Sequence, residues 1–149
     1  MTVHVNSSTS DPWMSGADYG RRMPPLTFNL IVTDVARSVR FYTEVLGADV
    51  EYSDVDFAAL RLAGVDFMLH ADHTYDQHPL YQRLAAGERR GVGVELRAEG
   101  IDPDAVLRRA EAYGSEIVQP VSDRGHAWRD VMVADPDGYV WAVGVKLPP

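Results

Sequence analysis

Hydrophobic and polar positions along this chain predict two copies of one β-α-β-β-β unit. In the first copy, the β-branched run TFNLIV (27–32) is typical of a strand, and Asp34 follows as the N-cap of a helix. DVEYS, DFAALRL and VDFMLH then follow as three short strands, the last two joined at Gly64. In the second copy, the strand GVELRA, the helix DPDAVLRRAEAYG and the strands SEIVQPV, WRDVMVA and YVWAVGV come in the same order.

Matched glycines support an internal repeat. Gly47 and Gly114 each end a predicted helix, and Gly64 and Gly138 each lie in the turn before the last strand of a unit. The order of elements carries this prediction more than sequence identity does. We therefore predict one domain over residues 25–147.

The predicted domain has two modules and a connection. The modules comprise residues 25–72 and 91–147, and the polar segment 73–90 connects them. PLYQRLAAG in this connection predicts a short helix, and GERRG at its end has the composition of a hinge.

Residues 1–24 are rich in Ser, Thr, Asp and Gly and are predicted to form an N-terminal arm. Trp13, Met14 and Tyr19 are its candidate anchors on the domain, and packing against another molecule is an equally good explanation for an ordered arm.

Composition excludes several classes of function. The net charge of −8 argues against a nucleic-acid or anionic-membrane partner, and the absence of cysteine excludes disulfides and thiolate chemistry. No apolar stretch approaches the roughly 20 residues of a spanning helix, and the N-terminal segment lacks the pattern of a secretory signal. We expect a cytoplasmic protein.

Two motifs give the chain its resemblance to a known family. FYTEVLG after the first helix and DPDGY before the last strand resemble the vicinal oxygen chelate superfamily, which includes glyoxalase I, extradiol dioxygenases and bleomycin resistance proteins. The likeness covers about residues 25–146 and looks strongest for the bleomycin-resistance type. It implies an α+β fold in which two βαβββ modules form a cup-shaped mixed sheet with helices outside, and it implies a homodimer.

The resemblance also locates four positions that hold a metal in some family members. Here they correspond to Thr27, Met68, Glu95 and Ala142. Alanine offers no ligand atom and a thioether suits Mg²⁺, Mn²⁺ or Zn²⁺ poorly, so we expect neither a metal nor another cofactor.

Alternation along the predicted strands assigns side chains to the helix side or to the cup. Val94, Leu96 and Ala98 are expected to face the helices, which leaves the residues between them for the cup. The candidate ligand-binding residues are Asn29, Phe57, Met68, His70, Glu95, Arg97 and Trp128.

Several of these candidates also have a structural explanation. Glu95 could pair with Arg97 or His70 without touching a ligand, Trp128 could belong to the core, and Asn29 could bond across the cup. Arg129 beside Trp128 is explained equally well as a surface salt-bridge partner and as a residue that binds a ligand.

The histidine-rich segment HADHTYDQHP raises the question of a separate metal site formed by His70, Asp72 and His73. Its spacing matches no strong ligand pattern, and a polar rim with Asp72 and Asp76 as turn residues is the preferred interpretation.

Two functions remain open from the sequence. The first is a metal-free small-molecule binder, which could sequester an antibiotic or natural product. The second is an enzyme on the same scaffold: an isomerase, cyclase or lyase that uses Glu95 and His70, or a metal-dependent glyoxalase-like or dioxygenase-like activity.

Overall fold

The computed structural model describes residues 13–149 and shows two four-stranded mixed sheets with helices packed on them. The first sheet has the order β1-β4-β3-β2 and the second has the order β5-β8-β7-β6. This confirms the predicted α+β fold class. In the described part of the chain the elements are α1 Gly16–Arg22, β1 Asn29–Val32, α2 Val35–Glu44, β2 Asp49–Ser53, β3 Phe57–Leu62, β4 Val65–Ala71, a 3₁₀ helix Asp72–Tyr75, α3 Tyr81–Ala85, β5 Glu95–Glu99, α4 Pro103–Tyr113, β6 Glu116–Asp123, β7 Trp128–Ala134 and β8 Val140–Lys146.

Local signals set the ends of the two long helices. The Asp34 carboxylate accepts a hydrogen bond from the backbone N–H of Arg37, which caps α2 as predicted. Asp102 caps α4 in the same way, and Gly114 ends it in the left-handed conformation at φ 84°.

Strand register confirms the internal repeat. In each sheet the first strand of the module pairs in parallel with the last, which aligns Asn29 with Met68 in one sheet and Arg97 with Ala142 in the other. The two modules therefore place equivalent positions on equivalent faces.

Both modules contribute to one hydrophobic core. Trp141 from β8 contacts Phe28 and Phe67 of the first module, with ring centroids 6.0 and 5.7 Å apart. The Tyr42 hydroxyl donates to the buried carboxylate of Asp135 at 2.6 Å, and the Trp141 indole N–H donates to the same hydroxyl. Burial raises the pKa of both Tyr42 and Asp135. One face of each sheet therefore packs against this shared core, and the other face points away from it.

One strand-face prediction is wrong. Val94 precedes β5 and is 55% exposed, whereas Leu96 packs against the core and Ala98 is buried. Because Val94 forms no ladder pair, strand alternation does not fix its direction.

The connection between the modules is anchored by a buried ion pair. The Arg90 side chain is 7% exposed and bonds to both oxygens of Asp72 at 2.6 and 2.7 Å, and it also donates to the carbonyls of Ile31 and Leu84. This corrects the expectation for Asp72, which bonds to Arg90 rather than to nearby backbone, and it shows that Arg90 is buried although its segment has the composition of a hinge.

Candidate functional site

A cavity of about 300 Å³ lies between the N-terminal helix α1 and the first sheet. We call it the arm pocket. Three of the candidate ligand-binding residues, Phe57, Met68 and His70, line it together with side chains of the arm. The remaining lining residues are Trp13, Met14, Ser15, Gly16, Tyr19, Met23, Tyr52 and Asp54.

Aromatic side chains of the arm form one wall of the arm pocket. Trp13 stacks on Tyr52 with centroids 5.2 Å apart and planes 10° from parallel, and Tyr19 meets Phe57 edge-on at 5.2 Å. Offset and edge-on contacts of this kind are favourable beyond the area that they bury. These contacts confirm Trp13 and Tyr19 as anchors of the arm, whose residues 1–12 lie outside the described part.

The helix α1 itself is held by polar contacts. Ser15 caps its N-terminus, and Arg22 pairs with Glu51 at 2.8 Å while its guanidinium lies 5.4 Å from the Trp13 ring centroid. Both members of this ion pair are well exposed, so it contributes little to stability. No residue of α1 is buried.

His70, which lines the arm pocket, is held by a short chain of hydrogen bonds. Nδ1 of His70 lies 2.7 Å from Oδ1 of Asn29, and the Asn29 amide nitrogen donates to the Tyr75 hydroxyl at 2.5 Å. Burial lowers the pKa of His70, an effect that the negative charge of Asp54 partly opposes. A neutral imidazole held in one orientation therefore faces an aromatic pocket.

Among the residues of 13–149 that line the arm pocket, Asp54 supplies the only carboxylate. Its Oδ1 accepts the backbone N–H groups of Asp56 and Phe57, and its Oδ2 accepts the Tyr52 hydroxyl at 2.6 Å. These bonds fix the loop before β3 and orient two of the pocket rings.

Apart from Asn29, which bonds to His70, the remaining three candidates meet on the second sheet. There Arg97 bonds to Glu95 at 2.6 Å, contacts Nε2 of His126 at 3.1 Å and lies 4.7 Å from the ring centroid of Trp128. The fully buried Asp130 is 3.8 Å from the same guanidinium. We call these five residues the Arg97 cluster.

Within the Arg97 cluster, Glu95 forms an ion pair with Arg97, as its structural explanation requires. Arg124 bonds to one oxygen of Asp130 at 2.6 Å, and the other oxygen accepts no hydrogen bond. Arg129 is paired with Asp104 and Asp123, as a salt-bridge partner rather than a free guanidinium.

The side chains of the histidine-rich segment bond to separate partners rather than to one another. His70 bonds to Asn29, Asp72 to Arg90 and His73 to Asp56, the last at 2.5 Å. Across residues 13–149, no group of three or more His, Cys, Asp or Glu side chains could hold a metal ion. At one inherited position the Thr27 hydroxyl donates to the backbone carbonyl of Asp66.

A second cavity of about 370 Å³ lies near the turn before β8. Several of its charged side chains already have hydrogen-bond partners. Arg89 pairs with Glu116, Arg37 donates to the Pro136 carbonyl, and Asp137 accepts from the Thr33 backbone N–H. The arm pocket combines apolar walls with a free imidazole edge and is the better candidate site.

Sequence reasoning missed the contact that orients His70 and the pocket-lining role of two arm residues. Tyr75 was not singled out, because nothing in the sequence shows that the 3₁₀ helix turns it back onto Asn29. Trp13 and Tyr19 were recognised only as anchors, although the two rings also line the cavity.

The chain belongs to the Glyoxalase/Bleomycin resistance protein/Dioxygenase superfamily, whose sequence model matches residues 25–143. The uncharacterized protein Mb0911c of Mycobacterium bovis is 30% identical over 128 residues, covering 81% of this chain and 82% of its own length. Rv0887c of Mycobacterium tuberculosis, also uncharacterized, is 30% identical over the same share of this chain and 74% of its own length.

Solved structures share the fold. A glyoxalase/bleomycin resistance protein/dioxygenase from Nocardioides has a TM-score of 0.63 at 26% identity and covers 88% of this chain and 92% of its own. A protein of unknown function from Agrobacterium tumefaciens has a TM-score of 0.67 at 24% identity and covers 91% and 98%. Within residues 13–149, no helix is long and apolar enough to cross a membrane.

The lowered pKa of His70 predicts a pH-dependent stability. The imidazole takes up a proton more readily in the unfolded chain, whose pKa is about 6.5, than in the folded chain. The stabilisation is therefore complete above about pH 6.5 and is lost as pH falls from there through the lower folded-state pKa. Urea unfolding of wild type and His70→Gln across this range should show the loss only in wild type.

The exposed His78 provides the control, since His78→Gln should keep the wild-type pH dependence. Parallel stability curves for wild type and His70→Gln would contradict the assignment of this effect to His70.

Proposed function

We propose that this protein is a metal-free small-molecule binding protein that takes its ligand in the arm pocket. The observation that carries the proposal is the arrangement of four aromatic rings around one cavity, with His70 and Asp54 as its polar groups. Ligand pockets typically combine mostly apolar walls with a few fixed polar groups, and a volume near 300 Å³ is at the small end of their range.

The particular role that we propose is sequestration of an antibiotic or natural product, as in bleomycin-resistance-type proteins. Aromatic walls suit stacking on a planar compound. The protein would act in the cytoplasm as a homodimer. Exposed apolar side chains before β5, Val92 at 79% and Val94 at 55%, support a second copy covering this region.

The Arg97 cluster has a supporting place in this proposal. Glu95, Arg97 and Trp128 lie together on the second sheet, and the arm pocket lies on the first sheet. In a dimer the two faces could contribute to one ligand site, with Trp128 as a second aromatic surface.

A thermal-shift screen of antibiotics and metabolites tests the proposal. A ligand at one hundred times its dissociation constant adds about 2.7 kcal/mol to stability. Calorimetric titration of each hit should then show that Trp13→Ala weakens binding about tenfold or more, because the stacked wall is lost.

Arg21→Ala is the matched control, because Arg21 is exposed on the same helix and pairs only with Asp18 among the described residues. It should leave affinity unchanged. Hits whose affinity ignores Trp13→Ala would reject the arm pocket as the binding site.

An enzyme is the second candidate function, and the oriented neutral imidazole of His70 is the observation in its favour. The Glu95–His70 acid–base pair is not formed, because Glu95 bonds to Arg97 and His70 bonds to Asn29. Conversion of a screened compound that disappears in His70→Gln would favour this alternative.

A further inference from the structure

We infer that the arm pocket selects a flat aromatic molecule that carries a hydrogen-bond donor, and that Nε2 of His70 accepts the bond from that donor. The inference rests on the proposed function and names the class of ligand.

The first step is the direction of the hydrogen bonds that hold His70. The Asn29 amide nitrogen donates to the Tyr75 hydroxyl, so the amide oxygen is the atom that faces His70, at 2.7 Å from Nδ1. An amide oxygen only accepts, so with the amide in this orientation Nδ1 of His70 carries the proton.

The second step concerns the other ring nitrogen. In a neutral imidazole only one nitrogen carries a proton, so Nε2 is a bare acceptor. Burial lowers the pKa of His70 and so favours this neutral form. The hydrogen bond of His70 within the described chain is made through Nδ1, which leaves Nε2 for a ligand.

The third step concerns the aromatic side chains that surround this acceptor. The His70 ring lies 4.9 Å from the Phe57 centroid and 5.3 Å from that of Tyr75, and it lines the same cavity as Trp13 and Tyr52. A ligand that reaches Nε2 therefore has aromatic faces beside it. A molecule without a donor would cover the acceptor and leave it unpaired, which costs free energy.

The matched pair 2-naphthol and 2-methoxynaphthalene tests this selection, since methylation removes the donor and keeps the ring system. Calorimetric titration of the full chain should show 2-naphthol binding about tenfold more tightly, the value of one buried hydrogen bond with the penalty for leaving it unmade. In His70→Phe, which keeps an aromatic side chain, the two compounds should bind equally.

His73→Phe is the control, because His73 is exposed and bonds to Asp56 outside the arm pocket. It should keep the tenfold preference. Equal binding of both compounds to wild type, with both weakened by Trp13→Ala, would overturn the donor selection and leave the proposed function standing. Loss of the preference in His73→Phe would also overturn it.

Nitrogen-15 NMR of the imidazole side chains measures which ring nitrogen of His70 carries the proton. This tautomer would not change if Asn29 served only the stability of the fold. Wild type should show His70 protonated at Nδ1, and 2-naphthol should shift its Nε2 resonance. Asn29→Leu removes the acceptor for Nδ1 and should release His70 to a mixture of tautomers. A His70 protonated at Nε2 in the ligand-free wild type would refute the inference.

Discussion

Gly144→Ala is expected to lower the free energy of unfolding by about 3 kcal/mol or more, because a methyl group at this position has no space. A Cβ atom there would lie 2.0 Å from the carbonyl oxygen of Arg129 and 2.8 Å from both Cα and Cβ of Asp130. These are atoms of the facing strand β7, so the backbone itself must move. Gly144 also accepts backbone bonds from Gly100 and Ile101, which join the end of β5 to the sheet.

Denaturant unfolding followed by circular dichroism measures this effect. Gly125→Ala is the matched control in the same module, since a Cβ there meets nothing within 4 Å and its φ is not positive. It should change stability by less than about 0.5 kcal/mol. A Gly144→Ala protein as stable as this control would show that the β7–β8 pairing is looser than described.

The second large effect is expected for Asp72→Ala, which leaves the buried Arg90 guanidinium without its carboxylate. Removing one partner of a buried pair costs about 3–5 kcal/mol, and the Asp137 carboxylate, 3.9 Å from Arg90, places the expected loss near the lower bound. The same denaturant titration measures it. Because Arg90 also donates to the carbonyl of Ile31 in β1, the loss of Asp72 should also destabilise the first sheet.

The exposed pair Arg83–Glu88 supplies the control for this variant. It has the same chemistry at 2.6 Å in the same connection, and Glu88→Ala should cost much less than Asp72→Ala because water screens the exposed pair. The double variant Asp72→Leu with Arg90→Met should recover much of the lost stability. Equal costs for Asp72→Ala and Glu88→Ala would contradict the burial argument.

Local sequence signals predicted the elements well because each signal acts within a few residues. The cap at Asp34 and the left-handed glycine at Gly114 lie at the predicted ends of their helices. The predicted strands DVEYS and WRDVMVA coincide with β2 and β7, and the other predicted strands differ by one or two residues at their ends. Val94 was assigned wrongly because it lies one residue before its ladder begins.

Contacts between distant residues were beyond the reach of the same reasoning. Arg90 and Asp72 are 18 positions apart, and composition alone suggested a hinge and a turn. Asn29 and Tyr75 are 46 positions apart, so the chain that orients His70 left no local signal.

The candidate site was predicted in part and for a physical reason. Alternation placed Met68 and His70 on one face of β4, and register then brought Asn29 beside Met68 and Phe57 beside His70. The same reasoning offered Arg97 or His70 as the partner of Glu95, and the structure pairs Glu95 with Arg97, whereas His70 belongs to the other sheet.

Periodicity and short motifs in the sequence were enough to predict the order of elements, the internal repeat and the family. They also predicted for most strand residues whether the side chain faces the helices. Tertiary structure decided that the arm folds over the first sheet, that the candidate residues divide between the arm pocket and the Arg97 cluster, and that Arg90 is buried. The physical reason is that these outcomes depend on which distant surfaces exclude water together. Trp13 and Tyr52 lie 39 positions apart, and only their stacked contact forms the wall of the pocket.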